Sequence, residues 1–172
     1  MRGRVWISLV ALLAWLTGIG AAAAQERGLV GFWQGKYDCN QGITGVTLTI
    51  RAVTGTEVEG LFLFYEVPEN PGVPTGCYVT TGTWDPASRA VTLLGHDDRW
   101  LWRPENYIAV NFRGTMAPGG LAMRGRVEGP NCTVFDLRRI ASAPRAPEPC
   151  TRAMNMVGGG GGQVATRQEQ TR

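Results

Sequence analysis

Apolar and polar residues alternate over several short stretches of this chain, and that two-residue period is the feature that most constrains the fold. Val46, Leu48 and Ile50 alternate with threonines, and Met123 to Val127 alternates with arginines. Successive side chains of a β-strand point to opposite faces, so each stretch predicts a strand with one apolar and one polar face. The stretches are separated by segments rich in Gly, Pro, Asn and Asp, which favour turns. These patterns predict β structure and give almost no helix signal.

The alternation and the turns together predict eight strands joined in series. Their predicted bounds are 31–38, 44–53, 57–67, 77–84, 89–95, 107–115, 120–128 and 133–140. Consecutive strands joined by turns form an antiparallel meander, and a meander of this length is commonly closed into a barrel, which removes the exposed edges. We therefore predict an all-β fold, an eight-stranded antiparallel up-and-down barrel, followed by a disordered C-terminal tail.

The four cysteines provide a test of closure within the sequence. A closed barrel places the first strand beside the eighth, antiparallel, so the end of one meets the start of the other. Cys39 follows the first strand and Cys132 precedes the eighth. We expect a Cys39–Cys132 disulfide, which leaves Cys77–Cys150 as the second pair, since even cysteine counts in exported chains favour disulfides.

Composition changes at both ends of the chain. Arg2 and Arg4 precede an apolar run, and four alanines end it at Ala24, as in a secretory signal peptide. The alternative is an uncleaved anchor, the case in which the protein would stay at a membrane. Residues 141–172 are rich in Pro and then in Gly, which is typical of a flexible tail. We expect a signal peptide at 1–24, a barrel domain at 25–140 and a secreted or periplasmic protein.

Charge and residue counts weigh against several classes of function. The chain holds 17 basic and 14 acidic residues, and removal of Arg2 and Arg4 leaves a net charge of +1, so no nucleic-acid partner is indicated. A serine-type triad needs a base, and His96 is the single histidine. The two serines beyond the signal segment, Ser88 and Ser142, fall in a turn and in the tail. We expect no catalytic residues, no metal and no cofactor.

Short motifs resemble a known group of barrels. The segment G-F-W-Q-G-K-Y at 31–37 is similar to the opening strand of calycins, the lipocalin and avidin-type barrels. The later segments G-T-W-D, R-A-V-T-L-L-G, F-R-G-T and L-A-M-R-G-R-V follow a rhythm similar to avidin-type barrels. The resemblance covers about residues 28 to 140. It implies a barrel of the same kind, and no biotin-contacting residue of avidins can be matched to this chain.

The interior of such a barrel is nearly filled by side chains. Six aromatic residues are predicted to fill it: Trp33, Phe62, Phe64, Trp84, Phe112 and Phe135. Five glycines within strands permit two interpretations, either room for a ligand or sharp bends of the strands. These are Gly35, Gly60, Gly82, Gly114 and Gly125.

The two longest predicted loops, 68–76 and 96–106, both fall at the end of the barrel where the first strand ends, which we call the top. Long loops at one end of a rigid barrel are usual sites of ligand contact. Six candidate ligand-binding residues lie there: Trp100, Trp102, His96, Arg99, Asn70 and Tyr107. In an extended segment, Trp100 and Trp102 point the same way and would form a paired aromatic platform.

The second of these loops permits three interpretations. It is a lid whose tryptophans plug the barrel, a recognition loop that stacks on a sugar or an aromatic group, or a metal site built on His96, Asp97 and Asp98, with Asp38 as a further candidate ligand. The preferred prediction for function is an exported binding module for a small ligand or glycan. The alternative is a protein-interaction or inhibitor-like domain with an envelope protein as partner, and an envelope enzyme is the weakest alternative.

Overall fold

The structure is a computed structural model that describes residues 28–52, 54–148 and 150–151. Eight strands account for most of these residues: β1 (Gly31–Cys39), β2 (Gly42–Ala52), β3 (Glu57–Tyr65), β4 (Gly76–Asp85), β5 (Ala90–Trp102), β6 (Asn111–Met116), β7 (Ala122–Glu128) and β8 (Val134–Ile140). No helix in the described ranges is long and apolar enough to cross a membrane. The predicted signal peptide and residues 152–172 of the predicted tail lie outside the described residues.

The strands form a closed barrel in which each strand pairs antiparallel with the next. β1 also pairs antiparallel with β8, from Phe32 opposite Ile140 to Tyr37 opposite Phe135. The predicted fold class and the predicted closure are therefore confirmed. Closure leaves no strand edge unpaired along this seam, which is the physical advantage that favoured a barrel over an open sheet.

The Cys39–Cys132 disulfide joins the top of β1 to the turn before β8, and Cys77–Cys150 is the second disulfide. Both pairings agree with the sequence prediction. The second bond holds the chain around Cys150 against the outer face of the barrel. There Ala146 and Cys150 pack in a small apolar cluster with Leu61, Leu63 and Cys77.

The interior is apolar and strongly aromatic, as predicted. Trp33, Phe62, Phe64, Phe112 and Phe135 are all buried, and the half-buried Trp84 packs against them. The apolar sets of the sequence, such as Val46, Leu48 and Ile50, supply the rest of the inner face. The two-residue period therefore identified the inward-facing side chains because burial on one face imposes it.

The strand glycines mark close approaches of neighbouring backbones. A Cβ atom on Gly125 would lie 2.1 Å from the Arg113 carbonyl oxygen, and one on Gly82 would lie 1.9 Å from the Thr92 carbonyl oxygen. At Gly35 and Gly114 the nearest atom would also be a backbone oxygen, at 2.0 and 2.1 Å. Of the two interpretations, the one in which glycine lets strands bend and approach is supported at these positions.

The fifth and sixth strands differ from their predicted bounds. β5 continues to Trp102, beyond its predicted end at residue 95, and β6 begins at Asn111. Thr80 of β4 pairs with Gly95 of β5, and Tyr78 pairs with Trp100. The four β5 residues 96–99 therefore lie opposite a single β4 residue, Val79. This bulge interrupts the apolar alternation, which is why the segment was predicted as a loop. Most of the predicted 96–106 loop is therefore part of the barrel wall.

Candidate functional site

The bottom of the barrel is closed by a tryptophan and an arginine. The Trp33 indole N–H donates to the Leu29 carbonyl oxygen at 2.9 Å, and the Arg139 guanidinium lies 4.2 Å from the Trp33 ring centroid. Arg139 also donates to three backbone carbonyl oxygens, those of Gly28, Val30 and Gly120. These contacts close the barrel interior at its bottom end.

A layer of aromatic rings fills the middle of the barrel. Phe62 and Tyr78 are stacked with centroids 4.7 Å apart, and Phe112 and Phe135 are stacked at 4.3 Å. Tyr37 contacts Phe62 and Phe112 edge-on at 5.8 and 5.7 Å. Interlocked rings of this kind are rigid and exclude water. They form the floor of the space above them.

Above this floor a cavity of about 280 Å³ opens at the top of the barrel. Its walls come from the upper ends of β1, β3 and β4, from the segment 106–110 and from the turn before β8. The lining residues are Tyr37, Cys39, Asn40, Gln41, Phe64, Tyr78, Asn106, Tyr107, Ile108, Val110, Pro130 and Cys132. The volume is close to the lower limit of typical small-molecule sites.

Two buried tyrosines place their hydroxyl groups in the polar part of the cavity wall. The Gln41 side-chain amide donates to the Tyr37 hydroxyl oxygen at 3.1 Å and to the Thr44 hydroxyl oxygen at 3.2 Å. The Tyr78 hydroxyl donates to the Val110 carbonyl oxygen at 3.2 Å and accepts from the Val110 N–H at 3.3 Å. The second pair of bonds fixes the segment before β6 against β4.

Burial keeps the tyrosines of the cavity in their neutral form. It raises the pKa of Tyr37 and of Tyr78 above the ordinary value of 10.0, and it raises the pKa of the less buried Tyr107 in the same direction. The hydroxyl groups therefore remain protonated throughout the physiological pH range. They can donate as well as accept hydrogen bonds.

The segment 103–110, which we call the mouth loop, covers one side of the cavity. Tyr107 stacks on Phe64 with ring centroids 5.2 Å apart, and the Arg103 side chain donates to the Tyr107 carbonyl oxygen at 2.8 Å. Asp97 accepts from the Ala109 N–H at 3.0 Å and from the Trp100 indole at 3.2 Å. These two bonds lower the pKa of Asp97. Side chains at both ends of the loop therefore hold it in place.

Two of the six predicted ligand-binding residues lie at the cavity. Tyr107 lines it directly. Trp100 lies behind the lining, 4.9 Å from the Tyr78 ring and 6.1 Å from the Phe64 ring, and the Arg103 guanidinium lies 5.6 Å from its centroid. Trp100 therefore supports the aromatic wall from the β5 side.

The predicted pairing of Trp100 with Trp102 is wrong. Trp100 lies opposite Tyr78, which faces the interior, whereas Trp102 lies opposite Cys77, which packs in the apolar cluster on the outer face. Side chains of paired residues share a face of the sheet, so the two indoles lie on opposite faces. The register shift between Cys77 and Tyr78 inserts Leu101 as an extra residue and breaks the expected period.

The other three candidates make contacts away from the cavity lining. A His96 ring nitrogen lies 2.7 Å from the Thr81 hydroxyl oxygen, and Arg99 pairs with Glu59 at 2.9 Å. The Asn70 amide donates to the carbonyl oxygens of Gln41 and Ile43, which fastens the 66–75 connection to the turn between β1 and β2. These side chains therefore stabilise the wall and the loops.

Sequence reasoning missed several residues of the cavity wall, among them Tyr37, Gln41, Tyr78, Asn106 and Val110. Tyr37 and Tyr78 lie near the top ends of their strands, on the inward-facing positions. A strand-end tyrosine facing inward is a usable signal, because its hydroxyl needs a polar partner near the barrel opening. Gln41 and Asn106 lie in short turns and carried no pattern.

Within the described part of the chain, no group of three or more His, Cys, Asp and Glu side chains converges to hold a metal ion. Asp97 is engaged by the mouth loop, and Asp38 accepts from the Thr133 hydroxyl at 3.1 Å.

Comparisons with known proteins assign no family to this chain. No family model and no curated protein matches the chain. One solved structure that it resembles is a fluorescence-activating β-barrel designed de novo, with a TM-score of 0.44 and 15% sequence identity. The match covers 69% of this chain and 97% of the designed one. None of these comparisons shows a calycin family membership.

Proposed function

We propose that this protein is an exported, non-catalytic binding module that holds a small ligand in the cavity at the top of the barrel. The observation that carries the proposal is the combination of a closed bottom with an open, aromatic-walled cavity of about 280 Å³ at the top. Such concave sites, mostly apolar with a few placed polar groups, are typical of small-molecule binding.

Export is supported by the two disulfides, which persist in secreted and periplasmic compartments and are rare in the cytosol. The signal-peptide pattern at 1–24 points in the same direction. N-terminal sequencing of the protein recovered from its own host tests this part of the proposal. We expect Gln25 as the first residue, and an intact Met1 in the cytosol would contradict it.

Native mass spectrometry of protein purified from its own host tests the binding function. We expect a small molecule to be retained by the wild-type protein and by Trp102→Ala, whose indole lies on the outer side of the wall. Tyr107→Ala removes the ring that stacks on Phe64 and should weaken retention about tenfold, which corresponds to about 1.4 kcal/mol. Chemical denaturation of both variants shows whether the fold survives.

A second candidate function, protein interaction, is favoured by apolar side chains exposed near the mouth loop. Leu101, Trp102 and Ile108 are 36%, 46% and 43% exposed. Grouped exposed apolar residues are typical of protein contact surfaces. The same variants separate the two functions, because a protein partner should be lost with Trp102→Ala and kept with Tyr107→Ala.

A further inference from the structure

The lining of the cavity carries no ionised side chain. Each of its twelve residues is aromatic, aliphatic, an amide or a disulfide cysteine, and the raised tyrosine pKa values keep the hydroxyl groups neutral. At the base of the mouth loop, Asp97 and Arg103 face each other at 3.8 Å. A charged ligand would give up its hydration without meeting an opposite charge, which is costly.

The aromatic walls present flat surfaces. Phe64 and Tyr107 both line the cavity, and their rings are nearly parallel, at 14°. Tyr78, a further aromatic residue of the lining, stacks on Phe62 at 11°. A planar ring in the cavity can continue such stacking, since aromatic pairs gain from offset parallel contact. By volume the cavity corresponds to about nine water molecules, enough for one substituted ring.

Several polar groups of the lining have hydrogen-bonding capacity left over. The Gln41 side chain uses its N–H₂ group on Tyr37 and Thr44, and no described residue donates to its side-chain oxygen Oε1. Among the residues that the structure describes, neither the Asn106 side-chain amide nor the Tyr107 hydroxyl has a hydrogen-bond partner. The wall therefore offers acceptors and donors together, and both are neutral.

From these three features we infer that the ligand is an uncharged planar ring compound that bears an amide or a hydroxyl group. This inference rests on the proposed function. An amide matches the wall because it can donate to the Gln41 side-chain oxygen Oε1 and accept from the Asn106 side-chain amide or the Tyr107 hydroxyl. Acids and amines of the same size are excluded by the uncompensated cost of their charge.

Four probes test the inference with the full-length protein: benzamide, benzoate, benzylammonium and methyl glucoside. The first three share one ring and differ in charge, and the fourth is uncharged but not planar. Binding is measured at neutral pH by ligand-observed NMR titration. We expect benzamide to bind at millimolar concentration, at least tenfold tighter than each of the others.

A variant that adds a charge to the lining tests whether the probes bind in the cavity. Gln41→Glu should strengthen benzylammonium binding about tenfold relative to benzamide binding, because it adds a negative charge to the lining. Gln34→Glu is the matched control, since Gln34 lies on the outer face and bonds to the Tyr65 hydroxyl. It should change neither affinity.

Other outcomes overturn the inference. Equal or tighter binding of benzoate or benzylammonium contradicts the requirement for neutrality, and preference for the glucoside contradicts the planar ring. Failure of all four probes also overturns it. The proposed function is decided separately, by whether native mass spectrometry finds a small molecule from the host bound to the wild-type protein.

Discussion

Two threonines on the outer face of β2 are buried to a similar extent but differ in the hydrogen bonding of their hydroxyl groups. Thr47 and Thr49 are both almost fully buried, at 1% and 4% exposure. The Thr47 hydroxyl lies 3.1 Å from the Tyr65 hydroxyl, whereas the Thr49 hydroxyl has no hydrogen-bond partner among the described residues. A buried unpaired hydroxyl costs free energy that a methyl group of the same size does not.

We therefore expect Thr49→Val to raise the free energy of unfolding by about 1 kcal/mol and Thr47→Val to lower it by about 1 kcal/mol. Urea denaturation of the two variants beside the wild type measures both changes. Equal destabilisation by the two substitutions would show that the hydroxyl of Thr49 is satisfied in solution.

The adjacent arginines of β8 provide a second comparison at the residue scale. Arg139 donates to three carbonyl oxygens and lies over Trp33, whereas the exposed Arg138 has no such contact with any residue that the structure describes. Arg139→Ala should lower the free energy of unfolding by about 3 kcal/mol, because charged donors and a desolvated cation–π contact are both lost. Arg138→Ala should stay within about 0.5 kcal/mol. Thermal and urea unfolding check both values, and similar effects would contradict the bottom closure described above.

At the scale of elements, the strands approach one another closely where glycines face each other. Gly114 of β6 pairs with Gly125 of β7, and a Cβ atom on either would meet a backbone oxygen at 2.1 Å. Backbone atoms cannot move aside as a flexible side chain can. The β6–β7 pairing therefore depends on the absence of side chains at this crossing.

Gly125→Ala should lower the free energy of unfolding by about 1–3 kcal/mol, the usual cost of overpacking. Gly28→Ala is the control, because an added Cβ there would have nothing within 4 Å. Denaturation midpoints of the two variants make the comparison. A neutral Gly125→Ala would mean that the strands separate without cost.

A salt bridge connects the bulge of β5 to β3. Arg99 pairs with Glu59 of β3, which also pairs with Arg51 of β2 at 2.6 Å. The Arg99 hydrogen bond, followed by that of Arg51, lowers the pKa of Glu59 below its ordinary value of 4.5. A carboxyl whose pKa is lower in the folded state stabilises above its unfolded value, and that stabilisation is lost as pH falls through the folded pKa.

Between neutral pH and pH values below 4.5, the wild type should lose more stability than Glu59→Gln. The difference should be at most about 1 kcal/mol, because the arginines are partly exposed to solvent. Glu57→Gln is the matched control, since Glu57 lies on the same strand and its side chain is exposed. Unfolding measured as a function of pH checks this, and parallel profiles for wild type and Glu59→Gln would contradict it.

At the scale of the whole molecule, the two disulfides close loops of similar length but act at different places. Cys39–Cys132 spans 93 residues and lines the cavity, and Cys77–Cys150 spans 73 residues and holds the C-terminal segment on the outer wall. Loop-closure entropy alone makes them nearly equal, at about 2–5 kcal/mol each. Their effects on binding should differ.

Removing each bond with paired serine substitutions separates stability from binding. Both double variants should lose about 2–5 kcal/mol of unfolding free energy under oxidising conditions. Cys39→Ser with Cys132→Ser should also weaken the binding of benzamide, whereas Cys77→Ser with Cys150→Ser should leave it unchanged. Equal loss of binding in the two variants would show that the C-terminal segment shapes the cavity.

The sequence by itself determined the number of strands, their order, the closure of the barrel and both disulfides. The reason is that burial of one face imposes a two-residue period that can be recognised locally. Turn residues between the runs fixed the meander, and closure then placed Cys39 beside Cys132. The inward-facing set, from Trp33 to Phe135, followed from the same period.

Only the tertiary structure decided where β5 ends and which residues form the cavity. A bulge adds residues to one strand without changing the local composition, so the segment from His96 to Trp102 gave no sign that it continues the wall. The same bulge separated Trp100 from Trp102. Tyr37, Gln41 and Tyr78 meet because three different strand ends and turns converge at the top. Such convergence depends on the closed geometry and leaves no pattern within any one stretch of chain.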